Sequence, residues 1–385
     1  MIRRGTILLL LVVLPATALA QGSVPVRVLS SPTGRSADAF TSINSVRELS
    51  NGKVIVSDMM DKSVHLVDLA AGTSAPIGRE GQGPGEYGFP GELFPLAGDT
   101  TLLVDRMNRR FLTLLPNGKT GASVPFPAGN GFSDARGIDA QGRIYFNGSL
   151  FSMNFTPGEP TPDSIPLTRW DHRRNLVDTV TFLKVPSMNL NISGGSGNSR
   201  GRTIMFRAQP FAPEDAWSVA PDGRVGVARV LDYHIEWFSP ARQRTAGPAN
   251  KVAPVRVTDA DKEALRKQMA SSPRMMVAVG SGGTSTRSAG PPPDMPAGEE
   301  PQYPEYKPAF PPRSVWMTPE GMLWVLRSRP ANDLVPLIDV FDQRGNLVGQ
   351  VKLPQDRRVI GFGKGVVYLA YTDSDDLQWL ERYRR

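Results

Sequence analysis

Short apolar segments alternate with turn-forming residues along most of this chain. The segment Val54–Asp58 follows a turn at Asn51-Gly52, and its β-branched apolar residues are typical of a strand. After a short loop comes a further segment in which apolar and polar residues alternate, as they do in a half-buried strand. This order recurs six times, with turns at Asn51-Gly52, Gly98-Asp99, Gln141-Gly142, Asp222-Gly223, Glu320-Gly321 and Gly363-Lys364-Gly365.

The recurring unit predicts an all-β fold. Several units contain a second turn that leads to a fourth strand, and four-stranded antiparallel sheets repeating every roughly 40 to 50 residues are typical of propeller blades. We therefore expect one six-bladed β-propeller domain over residues 21–385. Because the sixth unit stops after its third strand, we expect the N-terminal strand at residues 24–29 to complete the last blade and close the ring.

The units resemble NHL-type blades, in which a turn glycine precedes an apolar strand that ends in Asp. Asp58 and the segment 105–109 match this pattern best. The glycine-rich segment 81–87 is similar to loops of secreted bacterial six-bladed propellers of uncharacterised function. This resemblance covers most of the chain and implies the fold, but one fold hosts many functions.

The first twenty residues predict a secretory signal peptide. Arg3 and Arg4 precede a short apolar stretch, and residues 18–20 form an A-x-A cleavage site. We therefore expect a periplasmic or secreted protein. The sequence contains no cysteine, which excludes disulfides, thiolate metal sites and a lipidated cysteine. No later stretch is apolar enough to predict a transmembrane helix.

The net charge of +7 does not indicate a nucleic-acid-binding protein. The arginines are scattered among acidic residues instead of being clustered, which is typical of a solvated surface. Nucleic acid is therefore not expected as a partner.

Every long loop is predicted to open on one face of the propeller. That face, here called the long-loop face, carries the loops between second and third strands and those between blades. The long segments 78–89, 148–164, 186–210 and 258–312 all belong to it, and loops longer than a fold requires are often functional.

The insertion at 258–312 has its own predicted order. Thr258 can cap a short helix that Pro273 ends, and the Gly/Ser/Pro-rich segment 280–301 is predicted to be disordered. Tyr303, Tyr306 and Phe310 then bring the chain back. We consider two hypotheses for them: a lid or partner contact over the channel mouth, or a surface linker tied down by aromatic residues.

The innermost strands begin with polar residues, which predicts a ligand site at the channel mouth. Three oxygen-bearing residues, Asn44, Asp134 and Asp215, suit a Ca²⁺ ion, the one cofactor to which the sequence points. Arg47, Arg136 and Arg358 lie near the same positions and instead favour an anionic ligand. The predicted mouth residues are Asn44, Glu92, Asp134, Arg136, Asp215, Arg313 and Asp356.

Conventional catalytic motifs are weak here. The three histidines, His65, His172 and His234, fall on predicted third strands, away from the channel, so packing is favoured over a shared metal site. No G-x-S-x-G nucleophile motif is present. Residues 83–88 fit G-x-G-x-x-G, but no helix follows to hold a phosphate.

These features favour an exported, non-catalytic binding or scaffold propeller. Its expected partner is a polar small molecule, a glycan or a protein bound on the long-loop face. One alternative is a calcium-dependent hydrolase or lactonase that uses the carboxylates at the channel mouth to hold metal and activate water. A second alternative is a subunit of an envelope complex with the aromatic segment 303–310 as its interface.

Overall fold

The computed structural model describes residues 24–127, 134–148, 162–186, 188–193, 202–271, 274–280, 283–289 and 302–385. The chain forms a six-bladed β-propeller in which each blade is a four-stranded antiparallel sheet. Among the described residues, no helix is long and apolar enough to cross a membrane.

The strands follow the predicted order. The N-terminal strands are β1 (Val26–Val28) and β2 (Gly34–Arg35). Blade 1 contains β3 (Ile43–Glu48), β4 (Val54–Asp58), β5 (Ser63–Asp68) and β6 (Thr73–Pro76). Blade 2 contains β7 (Pro90–Pro95), β8 (Thr101–Asp105), β9 (Arg110–Leu114) and β10 (Thr120–Pro125). Blade 3 contains β11 (Asp134–Ile138), β12 (Ile144–Asn147), β13 (Ser164–Asp171) and β14 (Leu176–Lys184).

The second half of the chain adds two insertions to three further blades. Strands β15 (Met188–Ser193) and β16 (Arg202–Ala208) precede blade 4, which contains β17 (Ala216–Val219), β18 (Val225–Arg229), β19 (His234–Phe238) and β20 (Arg244–Ala246). The second insertion contains β21 (Val255–Arg256), α1 (Asp259–Ser271), β22 (Arg274–Gly280), β23 (Gly283–Ala289) and β24 (Tyr306–Lys307). Blade 5 contains β25 (Val315–Met317), β26 (Leu323–Leu326), β27 (Leu337–Phe341) and β28 (Leu347–Lys352), and blade 6 contains β29 (Arg357–Gly363), β30 (Val366–Thr372) and β31 (Gln378–Arg384).

The turns between first and second strands have the geometry that their sequences predict. Gly52 has a φ of 81° and Gly223 a φ of 85°, in the left-handed region that favours glycine. Glycines in the other four turns also have positive φ. These turns keep that face of the propeller compact.

The ring closes through the N-terminus, but by a different strand from the one we predicted. The outer strand of blade 6 is β2, where Gly34 pairs antiparallel with Arg382. The predicted closing segment instead forms β1, which pairs parallel with β28 and adds a fifth strand to blade 5. Its apolar pattern correctly indicated a strand, but the pattern carries no information about which sheet edge the strand joins.

The core is divided among the seams between blades. Val54 and Val56 pack toward blade 6, whereas Ile55 between them packs toward blade 2. Second strands are therefore covered on both faces, which explains why they are continuously apolar. Each of the six hydrophobic clusters joins residues of two neighbouring blades, so the ring closes by packing as well as by strand pairing.

The two long insertions meet in one sheet, in the order β15-β16-β22-β23. The predicted helix is present as α1, and Thr258 caps it by exchanging hydrogen bonds with Asp261. The prediction of disorder at 280–301 is wrong for Gly283–Ala289, which forms β23. The rest of that segment lies largely outside the described residues.

Candidate functional site

On the face formed by the short turns, side chains of one blade form hydrogen bonds with the neighbouring blade. Glu48 of blade 1 accepts hydrogen bonds from the Tyr368 hydroxyl and the Lys364 N–H of blade 6. Arg385 of blade 6 makes two hydrogen bonds of 2.7 Å to Glu320 of blade 5. These bonds lower the pKa of Glu320 to about 2. This face therefore contributes to ring closure, and the predicted mouth residues belong to the opposite one.

The Asp residues of the NHL-like pattern are structural. The Asp58 carboxylate is fully buried and accepts the backbone N–H groups of Thr41, Ser42, Met60 and Asp61 at 2.7–3.1 Å. It thereby joins the loop that enters blade 1 to the loop that leaves its second strand. Asp105 binds Gly88, Phe89 and Asn108 in the same way in blade 2.

Several of the predicted mouth residues sit at β-bulges of innermost strands. The pairing register shifts at Asn44 in β3, between Pro90 and Leu93 in β7, and at Arg136 in β11. A bulge interrupts the alternation of side chains and re-aims the extra residue. Asn44, Glu92 and Arg136 are accordingly half-buried between buried neighbours. Three consecutive blades thus offer a polar side chain at the rim of the channel.

Glu214, which sequence analysis missed, lies close enough to Arg136 and Arg313 to interact with their charges. It precedes β17 in blade 4, and Arg136 and Arg313 belong to the two flanking blades. Burial raises the pKa of Glu214; the positive charges of Arg136 and Arg313 oppose the rise, and Asp215 adds to it. The sequence signal for Glu214 was its position next to Asp215, one residue away from the predicted one.

Asp215 itself faces the seam between blades 3 and 4. It is 7% exposed, and its carboxylate accepts the N–H groups of Lys184 and Val230, each at 2.9 Å. Arg229 donates to it at 2.8 Å. Both oxygens are therefore occupied by protein donors, so Asp215 fits a blade-joining role better than a metal-binding one.

The remaining predicted residues are distributed around the rim. Glu92 is paired with Arg106 at 2.7 Å. Arg358 donates hydrogen bonds to the carbonyl of Ile43, the neighbour of Asn44, at 2.5 Å and to the side chain of Gln378 at 2.9 Å. Asp356 and Arg313 both have left-handed backbone and exposed side chains. Arg47 does not belong to this mouth: it lies toward the short-turn end of β3, 3.7 Å from Asp99.

The three proposed calcium ligands, Asn44, Asp134 and Asp215, come from blades 1, 3 and 4. No group of three His, Asp or Glu side chains placed to hold a metal occurs in the described part of the chain. The Asn44 side-chain nitrogen is buried without a hydrogen-bond partner. Asp134 starts β11, and its side chain lies outside the described residues.

The histidines occupy separate blades. His65 lies between Ser63 and Ser74, 3.1 Å from each hydroxyl. His172 follows β13 and packs against Trp170, with ring centres 5.9 Å apart. His234 contacts Asp232 and Glu236 on blade 4. None of the three approaches another, in keeping with packing roles.

The aromatic residues of the insertion fasten the chain. Phe310 is fully buried between blades 4 and 5, with its ring 5.6 Å from that of Tyr233. It is a core residue, so the expectation of a surface contact is wrong for this position. Tyr303 packs near Lys262, whereas Tyr306 is 41% exposed and lies under Arg256. These contacts favour the hypothesis of a surface linker held in place by aromatic residues. The lid hypothesis concerns a segment that lies largely outside the described residues.

No protein-family model matches this sequence, and no curated protein matches it significantly. Solved structures do match. A member of the DUF4221 family from Bacteroides vulgatus is 10% identical, with 92% of this chain and 94% of that chain covered and a TM-score of 0.50. Regucalcin, a calcium-binding protein from Agrobacterium tumefaciens, is 10% identical over 94% and 96% of the two chains, with a TM-score of 0.42. A gluconolactonase from Xanthomonas campestris is 13% identical over 92% and 94%, with a TM-score of 0.41. At this low identity the first match shows only a shared fold. Nothing about this chain is concluded from the two structures with lower TM-scores.

Proposed function

We propose that this protein is an exported, non-catalytic binding propeller whose channel mouth takes a polar ligand with an anionic group. The observation that carries the proposal is the placement of Arg136 and Arg313 on the two blades flanking half-buried Glu214. Arg358 adds a third guanidinium from blade 6. Export is supported by the features of residues 1–20.

The chemistry of the mouth favours binding over proton transfer. Guanidinium groups stay protonated, so they hold carboxylate, sulfate or phosphate oxygens in planar pairs of hydrogen bonds and do not relay protons near neutral pH. Glu214 lowers the net positive charge and offers an acceptor for a hydroxyl or amine of the same ligand. A ligand with one anionic and one neutral polar group satisfies both kinds of partner.

Anion binding by the mature chain tests this function. Sulfate, inorganic phosphate and succinate are titrated at constant ionic strength, and the melting midpoint and heat of binding are followed. We expect saturable stabilisation by at least one anion, weakened about tenfold or more in Arg136→Gln. The matched control is Arg173→Gln, since Arg173 is an exposed arginine in the turn after β13 on the short-turn face.

The same assay separates the alternatives. Stabilisation that is absent, or identical in Arg136→Gln and wild type, rejects the anion site. Stoichiometric stabilisation by Ca²⁺ instead, lost in Asp134→Ala/Asp215→Ala, would support the calcium-dependent hydrolase and justify assays with esters and lactones.

A further inference from the structure

Three blades share one loop geometry on the long-loop face. Four residues join second to third strand in blades 1, 2 and 4, at 59–62, 106–109 and 230–233. Each of these loops ends in a non-glycine residue with left-handed backbone: Lys62 with a φ of 49°, Arg109 with 51° and Tyr233 with 50°. The second residue therefore stands at the same place in every one of them.

That place is occupied by an exposed, large apolar side chain each time. Met60 is 51% exposed, Met107 57% and Leu231 76%. The corresponding loops of blades 5 and 6 also expose Leu334 at 55% and Leu377 at 40%. We call Met60, Met107, Leu231, Leu334 and Leu377 the apolar ring, since they come from five blades and one face.

The fold does not require these side chains to be apolar. In blade 1 the loop is fixed by Asp58, which accepts the Met60 and Asp61 N–H groups, and by the left-handed residue Lys62. A polar residue at position 60 would leave those bonds intact and would avoid exposing apolar surface to water. Single exposed apolar residues are ordinary, but repetition on one face is typical of an interaction surface.

We infer that the long-loop face docks a protein partner carrying an acidic segment flanked by apolar side chains. The flanking side chains pack on the apolar ring, whose methionines adapt readily to a partner's shape. The acidic segment enters the channel mouth, where Arg136, Arg313 and Arg358 provide the complementary charge. This second element rests on the proposed anion site, whereas the apolar ring is an independent observation.

A displayed library of random peptides, selected on the mature protein, provides the probes. The selected peptides are measured by fluorescence anisotropy against wild type, the ring variant Met60→Ser/Met107→Ser/Leu231→Ser, and Arg136→Gln. The matched control is Leu176→Ser/Val177→Ser, which changes two exposed apolar residues, 57% and 43% exposed, at the start of β14 near the other face.

We expect the selected peptides to combine acidic and apolar residues. Their affinity should fall at least about tenfold in the ring variant and in Arg136→Gln, and stay within about twofold in the control. Sulfate binding should survive in the ring variant, because its changes leave the mouth arginines in place. Circular dichroism and melting confirm folding, and Met60→Ser/Met107→Ser is a milder second variant.

Three results overturn the inference. Peptides that bind both ring variants as tightly as wild type would remove the docking surface while leaving sulfate binding, and so the proposed function, intact. Peptides whose affinity is unchanged in Arg136→Gln would show that no acidic segment binds at the channel mouth. Sedimentation that shows a wild-type dimer and a monomeric ring variant would assign the surface to a second copy of this chain.

Discussion

At the scale of single residues, the proposed anion site depends on how the charges at the mouth are balanced. Glu214 lies among Arg136, Arg313 and Asp215, and burial is the main reason that its pKa is raised. A carboxyl with a raised pKa carries less negative charge at a given pH than an exposed one. The positive potential that an anion meets at the mouth should therefore change with pH.

The substitution Glu214→Gln should tighten sulfate binding at neutral pH roughly fivefold, because it removes a negative charge beside the anion site. Wild-type affinity should rise as pH falls through the pKa of Glu214, whereas the variant should lack that step. Calorimetric titrations with sulfate across this range check the prediction, and a parallel pH profile in the variant would contradict it.

The raised pKa of Glu214 in the folded state also makes stability depend on pH. The stabilisation from its protonation is present at low pH and is lost as pH rises from the pKa of the unfolded state to that of the folded state.

At the scale of elements, the buried Asp58 and Asp105 connect the loops of blades 1 and 2 to their second strands. Asp58 ends β4 yet bonds to N–H groups on both the incoming and the outgoing loop. The four bonds converge on a carboxylate with no exposed surface, so removing it takes a shared charged acceptor from both loops at once. The NHL-like pattern therefore reports on loop geometry rather than on ligand binding.

We expect Asp58→Ala to lower the free energy of unfolding by about 3 kcal/mol, since it strands several backbone donors that bonded to a charged group. Urea denaturation at neutral pH measures the loss. Asp61→Asn is the matched control, because it removes a carboxylate from the same loop at an exposed position. Equal stability of the two variants would show that Asp58 is not a structural acceptor.

At the scale of the whole molecule, the propeller is a closed ring whose last blade depends on the first residues of the domain. Arg35 of β2 lies between the rings of Tyr371 and Trp379, 5.0 and 4.4 Å from their centres. Backbone bonds from Thr33 and Ser36 to β31 complete the junction. The termini are thus part of the fold's stability.

A chain that starts at Asp38 should melt several degrees below one that starts at Leu29, because only the shorter chain loses β2 and opens the ring. Hydrogen exchange at 378–384 should accelerate in the shorter chain alone. Exchange at 347–352, the partner of β1, should accelerate in both. Identical exchange of β31 in the two truncations would place closure elsewhere.

The arrangement of strands and turns within each blade could be predicted from the sequence alone. The turn glycines, such as Gly52 and Gly223, need backbone angles that other residues adopt at a cost, and that requirement is local. Segments like Val54–Asp58 are apolar on both sides because both sides are covered, which composition alone conveys. Local chemistry therefore predicted the number of blades, the positions of the turns and the face with long loops.

The pairing partners of these strands could not be predicted from local sequence and depend on the folded chain. Whether residues 24–29 would close blade 6 or extend blade 5 depends on contacts with strands more than three hundred residues away. A shift of one residue along the chain changes the environment of a side chain: Glu214 lies at the mouth, whereas Asp215 lies in the seam between two blades. Phe310 reads as an exposed aromatic among prolines and yet fills the core. Pairing, register and burial are properties of distant groups brought together, which no local pattern contains.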